Sequence, residues 1–322
     1  MKKLTVNETA SFLRGNDGYT ILTHTRPDGD TVGSGAALCR GLRSIGKTAH
    51  VLLNPEVSDL FSPLNEGLIK SVPESGDILI AVDVAAPNML PKEFEALAGA
   101  VDLRIDHHGT AVSFSRLELV DSASASCAEI IYDLLKELNC GITEEIMRPV
   151  YVGASTDTGC FRFANTTAHS FEVAAECVRA GVPVYELNQK LFETNTISRL
   201  RMQAWMVEHI RMLHNGEAAV CAIPLSVEKE LGVTRDDMDN IANVPRTIAG
   251  VRIAATLRET EDGGIKLSVR AVPGCDASKV AAHFGGGGHV GAAGASFRMQ
   301  MAEAAEETAG EILTALKSEE RA

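Results

Sequence analysis

The segment His24-Thr25-Arg26-Pro27-Asp28-Gly29-Asp30 packs three potential metal ligands into one short stretch, directly after an apolar run at 19–23. Asp83 closes a second apolar run at 78–82, and Asp106-His107-His108 closes a third at 101–105. Thr156-Asp157-Thr158-Gly159 follows the apolar stretch 150–155. Taken singly, an Asp after a strand is ordinarily a turn residue or helix cap, and a His is ordinarily packed or solvent-exposed without a role. Together they carry more, because carboxylates crowded at one place resist ionising side by side unless cations neutralise them. Strand-like ends that each deliver Asp, two of them with His, therefore imply bound metal. The mixture of oxygen and imidazole without thiolate disfavours structural zinc and suits Mn²⁺ better than a purely carboxylate Mg²⁺ site would. The ligands suffice for two ions, a pair that can activate water and clamp phosphoryl oxygens during in-line displacement. Phosphate-ester hydrolysis is the chemistry this set implies.

A second signal lies near the other end of the chain, in Phe284-Gly285-Gly286-Gly287-Gly288-His289. Glycines let a backbone approach a phosphate or ribose and offer its N–H groups, with His289 as a further hydrogen-bond partner. A flexible turn explains the tract equally well, since the Gly-Lys-Ser/Thr of a P-loop is missing. Gly33-Ser34-Gly35 is not a dinucleotide fingerprint, because the third glycine is absent and the nearby carboxylates would repel a pyrophosphate. Arg258 and Arg270 end two strand-like runs, where cationic side chains could reach an anionic substrate; arginines at strand ends without a role are as common.

The elements that must position these residues alternate between short apolar runs and helical patterns, which predicts a parallel sheet flanked by helices and an α/β fold. Strands are expected at 19–23, 48–53, 78–82 and 101–105, and helices at 35–44 (starting near Gly33), 128–138, 144–156 and 168–180, the last stopped by Gly181 and Pro183. Ligands in such sheets bind outside the carboxyl ends of the strands. This reading gives a first domain at 1–185, a helical connector at 186–213, and a smaller α/β domain at 214–322. The smaller domain should hold strands at 218–224, 250–258 and 264–270, the last two joined in a hairpin, and a final helix at 302–316.

Composition narrows the partners. The chain has 322 residues and a net charge of −13, with the acid concentrated in the first 190 residues, so a surface made for long nucleic acid is not expected. Seven Cys without a CxxC pair indicate neither a zinc ribbon nor a disulfide scaffold and fit a reducing cytoplasm. No run approaches the roughly 18 apolar residues of a membrane span, so no membrane partner is expected. A homodimer stays open.

In this order, the clusters and the glycine tract resemble the DHH family of phosphoesterases, over essentially the whole chain. Thr23 to Asp30 looks like the family's first motif, Val82-Asp83 the second, Asp106-His107-His108 the eponymous third and Thr156 to Gly159 the fourth. The glycine tract with Ala292-Ala293-Gly294 looks like the DHH-associated second domain. Phe161-Arg162-Phe163-Ala164-Asn165-Thr166-Thr167 is similar to the bifunctional oligoribonuclease and 3′-phosphoadenosine-5′-phosphate (pAp) phosphatase branch. The resemblance implies a parallel-sheet catalytic domain plus a smaller α/β substrate-binding domain, and two Mn²⁺ ions for which Mg²⁺ could substitute. One ion would be held by His24, Asp28 and Asp83, the other by Asp30, Asp83, His107 and Asp157, with Asp83 bridging. His108 would face the scissile phosphate and Asp106 would orient a ligand. Arg162, Arg258, Arg270, Gly287, Gly288 and His289 would grip the nucleotide. Short RNA oligonucleotides and pAp are the implied substrates. The alternatives are a stand-alone cyclic-di-AMP or linear diadenylate phosphodiesterase, a manganese pyrophosphatase, and a catalytically silent nucleotide-binding module. Two departures stand out: Cys160 replaces an expected Ser and could bring oxidation sensitivity, and Val290-Gly291 follows His289 where a basic residue often sits.

Overall fold

The computed structural model describes residues 2–109, 112–238 and 240–319. The chain divides into two compact units that meet at Thr194 and Asn195. The stretch 186–213 expected as a connector is thus shared between them.

The first unit is built on seven parallel strands: β1 (Lys2–Lys3), β2 (Tyr19–Leu22), β3 (Ala49–Leu52), β4 (Ile69–Lys70), β5 (Ile78–Val82), β6 (Leu103–Asp106) and β7 (Leu117–Val120), in the order β1-β7-β6-β5-β2-β3-β4. The apolar runs are continuous rather than alternating because both faces are buried. On β5, Ile80 and Val82 join the core made with the helices, whereas Leu79 and Ala81 pack on the other face with Leu90, Phe94 and Val101. The helices are α1 (Val6–Gly15), α2 (Gly29–Ser44), α3 (Cys127–Glu137), α4 (Glu144–Asp157), α5 (Ala168–Arg179) and the short α6 (Val184–Asn188). From β2 the sheet grows outward through β3 to β4, and the chain then returns to β5 on the opposite side of β2. That reversal is the topological switch point at which open α/β sheets bind ligands.

Two expectations change here. Helix α2 begins at Gly29 instead of near Gly33, because Asp28 caps it, accepting from the N–H groups of Asp30 (3.0 Å) and Thr31 (3.2 Å); such a cap contributes about 1 kcal/mol. The stretch 150–155 forms the last turns of α4, within the helix expected at 144–156. Strand β7 was not expected, since Glu118 interrupts its apolar pattern.

The second unit carries a six-stranded sheet: β8 (Arg211–Leu213), β9 (Ala218–Ile223), β10 (Ile253–Glu259), β11 (Ile265–Ala271), β12 (Gly287–Gly288) and β13 (Ala292–Phe297), ordered β12-β13-β11-β10-β9-β8. Every pairing is antiparallel except β9 with β10. Helices α9 (Ala277–His283) and α10 (Met301–Glu319) share one core with the sheet. Met202 and Met206 of α7 (Ile197–His209) pack with Cys221 and Ile223 of β9 in another, and α8 (Leu225–Leu231) follows β9. Among the described residues no helix is long and apolar enough to cross a membrane.

Candidate metal centre

The loop after β2 presents His24, whose ring is oriented by its own neighbourhood. Its Nδ1–H donates to the Thr25 carbonyl (2.7 Å), which leaves Nε2 facing Asp28 Oδ1 at 3.7 Å and Asp83 Oδ2 at 3.5 Å. Asn54 pins the loop through the Thr23 hydroxyl (3.0 Å) and the His24 carbonyl (2.9 Å). Asp83 follows β5 with a left-handed backbone, φ 57°, that a β-carbon makes costly. Its N–H donates to Ile105 (2.9 Å), and its carboxylate turns into the cluster. His107, just past β6, donates Nδ1–H to the Ser124 carbonyl (3.3 Å) and so points Nε2 at Asp30 Oδ2 (3.9 Å), Asp83 Oδ1 (3.6 Å) and Asp157 Oδ2 (3.3 Å). His108 donates Nδ1–H to Asp106 Oδ1 (2.8 Å).

Asp30 is fully buried, and its support was not visible in the motifs. Its carboxylate accepts the N–H groups of Cys127 (2.7 Å) and Ala128 (2.9 Å) at the start of α3, and the Ser34 hydroxyl (3.3 Å). The signal that could have found this is Ser126-Cys127-Ala128-Glu129, an S-x-x-E pattern that marks a helix N-terminus, where free N–H groups favour an anion. Asp157 arrives from elsewhere, at the last residue of α4. It does so because α2 and α4 pack with glycine between them: a Cβ on Gly33 would lie 2.3 Å from the Pro149 carbonyl oxygen, and one on Gly153 would lie 2.8 Å from Asp30 Oδ1. Gly33 thus serves helix packing.

Burial and crowding set the charges. Asp83 is pushed up to about 7 by desolvation first and then by the Asp30 charge beside it. Asp30 and Asp157 are raised in the same way, by burial and then by neighbouring carboxylates. For His24 burial works downward, but Asp28 and Asp83 outweigh it and raise the imidazole well above its ordinary value. His108 is raised chiefly by Asp106. Asp83 Oδ1 is buried with no hydrogen-bond partner. Three sets of side chains bring ligand atoms within 4.8 Å of one another: His24, Asp28 and Asp83; Asp30, His107 and Asp157; and Asp83, His107 and His108. Oriented imidazole Nε2 atoms, crowded carboxylates and an orphaned buried oxygen are a donor set that fits divalent cations.

The loop beyond Asp157 is tightly built. Gly159, Cys160 and Phe161 are all left-handed (φ 56°, 59° and 60°), and Asn165 Nδ2 ties the loop to the carbonyls of Asp157 (3.2 Å) and Ala125 (3.0 Å). Arg162 is exposed, with Nε donating to the Gly159 carbonyl (2.6 Å). Burial raises the Cys160 thiol above its ordinary value, which keeps it protonated and works against the oxidation sensitivity considered above.

In the second unit the glycine tract is not a loose turn. Gly287 and Gly288 form β12, paired with Gly294 and Ala293 of β13. Gly288 has φ 145°, and a Cβ there would lie 2.6 Å from Ala293 Cα. Gly287 faces open space and, with Gly288, Arg270, Lys266 and Ser268, lines a cavity of about 530 Å³. His289 is exposed in the turn to β13. Arg270 donates Nε to Asn243 Oδ1 (3.2 Å). Arg258 does not share that cavity. Antiparallel pairing sets Arg258 opposite Lys266 but Arg270 opposite Ala254, so the two arginines stand at opposite ends of the hairpin. Arg258 is held by Glu228 through two bonds of 2.8 and 3.0 Å. The two guanidiniums are thus held by different partners at separate places on the hairpin.

A parallel sheet whose carboxyl edge gathers Asp and His for divalent cations, followed by a separate unit with a glycine-lined, Arg-bearing cavity, defines a class of metal-supported hydrolases. Residues 19–154 match the DHH family N-terminal domain and residues 215–318 the DHHA1 domain. The "Bifunctional oligoribonuclease and PAP phosphatase NrnA" of Thermus thermophilus is 35% identical over 295 residues, which cover 90% of this chain and 87% of that protein. The protein of the same name from Bacillus subtilis is 28% identical over 287 residues, 87% of this chain and 89% of that one. An exopolyphosphatase-related protein from Bacteroides fragilis shares the fold, with a TM-score of 0.88 at 22% identity, over 98% of this chain and 97% of that chain. The chain belongs to the DHH family and is a phosphoesterase.

Proposed function

We propose that this phosphoesterase hydrolyses short RNA oligonucleotides to mononucleotides and pAp to AMP, with two Mn²⁺ ions in the cluster. The observation that carries the metal assignment is the Asp83 carboxylate, which turns Oδ2 to His24 (3.5 Å) and Oδ1 to His107 (3.6 Å). One carboxylate therefore serves two ligand sets. His24 and Asp28 would complete the first, and Asp30, His107 and Asp157 the second. When bound, the ions supply Lewis acidity to phosphoryl oxygens and a water activated at neutral pH. The side chains do the rest. Asp30 and His107 are fixed by N–H donors and a carbonyl, so their ligand atoms need no reordering. His108, with Nδ1 committed to Asp106, offers Nε2 to the phosphoryl group or its leaving oxygen. In the second unit Arg270 and the N–H groups around Gly287 and Gly288 suit a nucleotide's terminal phosphate and sugar. The substrate reading is supported by the names of the Thermus and Bacillus relatives and by a net charge of −13, which discourages long RNA.

The test is to strip the protein of metal, restore Mn²⁺ or Mg²⁺, and follow by chromatography a 5′-phosphorylated adenylate dinucleotide, pAp and cyclic di-AMP in parallel. AMP from the first two, lost on chelation and best restored by Mn²⁺, is the expected result. AMP from neither, despite bound manganese, would overturn the substrate reading and leave the metal site standing.

A further inference from the structure

Arg104 is among the largest fully buried side chains, in the interior of β6, where its neighbours in sequence are Leu103 and Ile105. A guanidinium does not escape burial by losing its proton, so partners must be supplied, and the sheet supplies them by register. Parallel pairing sets Arg104 opposite Glu118 of β7, which is buried as well, and Nη2 lies 3.2 Å from Glu118 Oε1. The period of two along a strand puts Asp106 on the same face as Arg104, and Nη1 lies 3.3 Å from Asp106 Oδ2. Phe114 covers the guanidinium, its ring centroid 5.6 Å from Cζ, and the hydroxyls of Ser113 (3.1 Å) and Ser115 (3.5 Å) donate to Glu118. Asp106 thus divides its oxygens. Oδ2 faces the buried cation, while Oδ1 accepts from the N–H groups of His107 (2.8 Å) and His108 (3.2 Å) and from His108 Nδ1–H (2.8 Å).

We infer that Arg104, braced by Glu118, is a positioning residue: it fixes the Asp106 carboxylate, and through it the ring of His108. Stability alone does not explain the row. Replacing a buried ion pair by apolar residues of like volume is often neutral or stabilising, and Arg104 Nε is buried without a hydrogen-bond partner. What an apolar pair cannot do is hold Oδ2 of Asp106 in place. The inference rests on the role given to His108 in the proposed function.

Arg104→Met alone would leave Glu118 and Asp106 buried without their cation, so the informative variant is R104M/E118L. It spares Glu118 an unpaired burial but still takes the cation from Asp106, so it is expected to melt somewhat below the wild type while binding Mn²⁺ as tightly. Its kcat should fall roughly 10- to 100-fold, as for the loss of an orienting partner, with KM unchanged. In an H108A background the same pair of substitutions should change kcat by less than about twofold, because nothing remains to be positioned. A folded R104M/E118L with wild-type kcat, or losses that multiply in the triple variant, would overturn the inference. If the double variant does not fold, R104K, which keeps the charge but not the planar fork, is read in the same cycle. Wild-type inactivity on a 5′-phosphorylated diribonucleotide would sink the substrate reading alone, and the cycle would then be read on bis(p-nitrophenyl) phosphate.

Discussion

The metal cluster and the glycine-lined cavity handle charge in opposite ways. In the cluster, Asp30, Asp83 and Asp106 are buried, and each is fixed by named donors or by its backbone. The cavity is open and lined mostly by glycines and other small residues, with two cationic side chains, Lys266 and Arg270, the latter hydrogen-bonded to Asn243. Chemistry on a phosphoryl group requires ligands set before the substrate arrives, which costs stability through burial and repulsion. A grip on a phosphate can be made from N–H groups and shape, at little such cost. Activity and metal-free stability should therefore trade against each other in the first region, whereas substitutions in the second should act on KM.

The largest effect is expected at Asp83. D83N should abolish turnover, a greater loss than the ~10- to 100-fold typical of residues that merely orient ligands. The metal-free variant should nevertheless melt higher than the metal-free wild type, since a neutral amide relieves the repulsion with Asp30. Calorimetry beside an activity assay would show this, and a D83N protein with wild-type turnover would break the contrast.

Next in size is the pH dependence of the metal-free protein. With Asp83 raised from 3.8 to about 7, the folded state keeps a proton that the unfolded chain has already released between those values. Stability therefore falls as pH rises through that window, by about 1.4 kcal/mol per unit for this group alone. Asp30 and Asp157, raised likewise, act in the same direction, while Asp28 and Asp106, lowered, act at more acid pH. Thermal midpoints of the metal-free protein from about pH 4 to pH 7 should decline, and Mn²⁺ should flatten the slope.

In the second region the two arginines should separate. R270Q removes charge-assisted bonds to phosphate of about 1.5–3 kcal/mol, which corresponds to a KM for pAp roughly 10- to 100-fold higher with kcat retained. R258Q, whose guanidinium is already committed to Glu228, should change KM by less than about threefold and lower stability instead. Equal effects on KM would mean that both reach the substrate. The smallest effect belongs to Cys160→Ser, which should keep turnover within about twofold, since its thiol is neutral and the two side chains pack alike.

What the sequence disclosed follows the same division. His24, Asp28, Asp83 and the Asp106 to His108 triplet were legible because each ends an apolar run, and parallel strands buried on both faces must deliver such ends to one edge. Asp157 was legible both as a ligand and as the close of the helix expected at 144–156, although the short apolar run 150–155 taken alone has no period to separate a buried strand from a buried helix turn. The N–H groups of Cys127 and Ala128 under Asp30 were legible only as a helix start, through Ser126 and Glu129, and that pattern does not say which anion they meet. The separation of Arg258 from Arg270 was not legible, because a hairpin's register, not its sequence order, decides which ends meet.

The spread of the ligand set has a consequence for how the enzyme is made. His24, Asp83, His107 and Asp157 come from separate elements of one parallel sheet and its helices, and such long-range pairings form slowly. During synthesis His24, Asp28 and Asp83 have all emerged once β5 is made, whereas the set of Asp30, His107 and Asp157 is incomplete until α4 has left the ribosome. Occupation of that later set, and not of the earlier one, would therefore report that the first unit has finished folding.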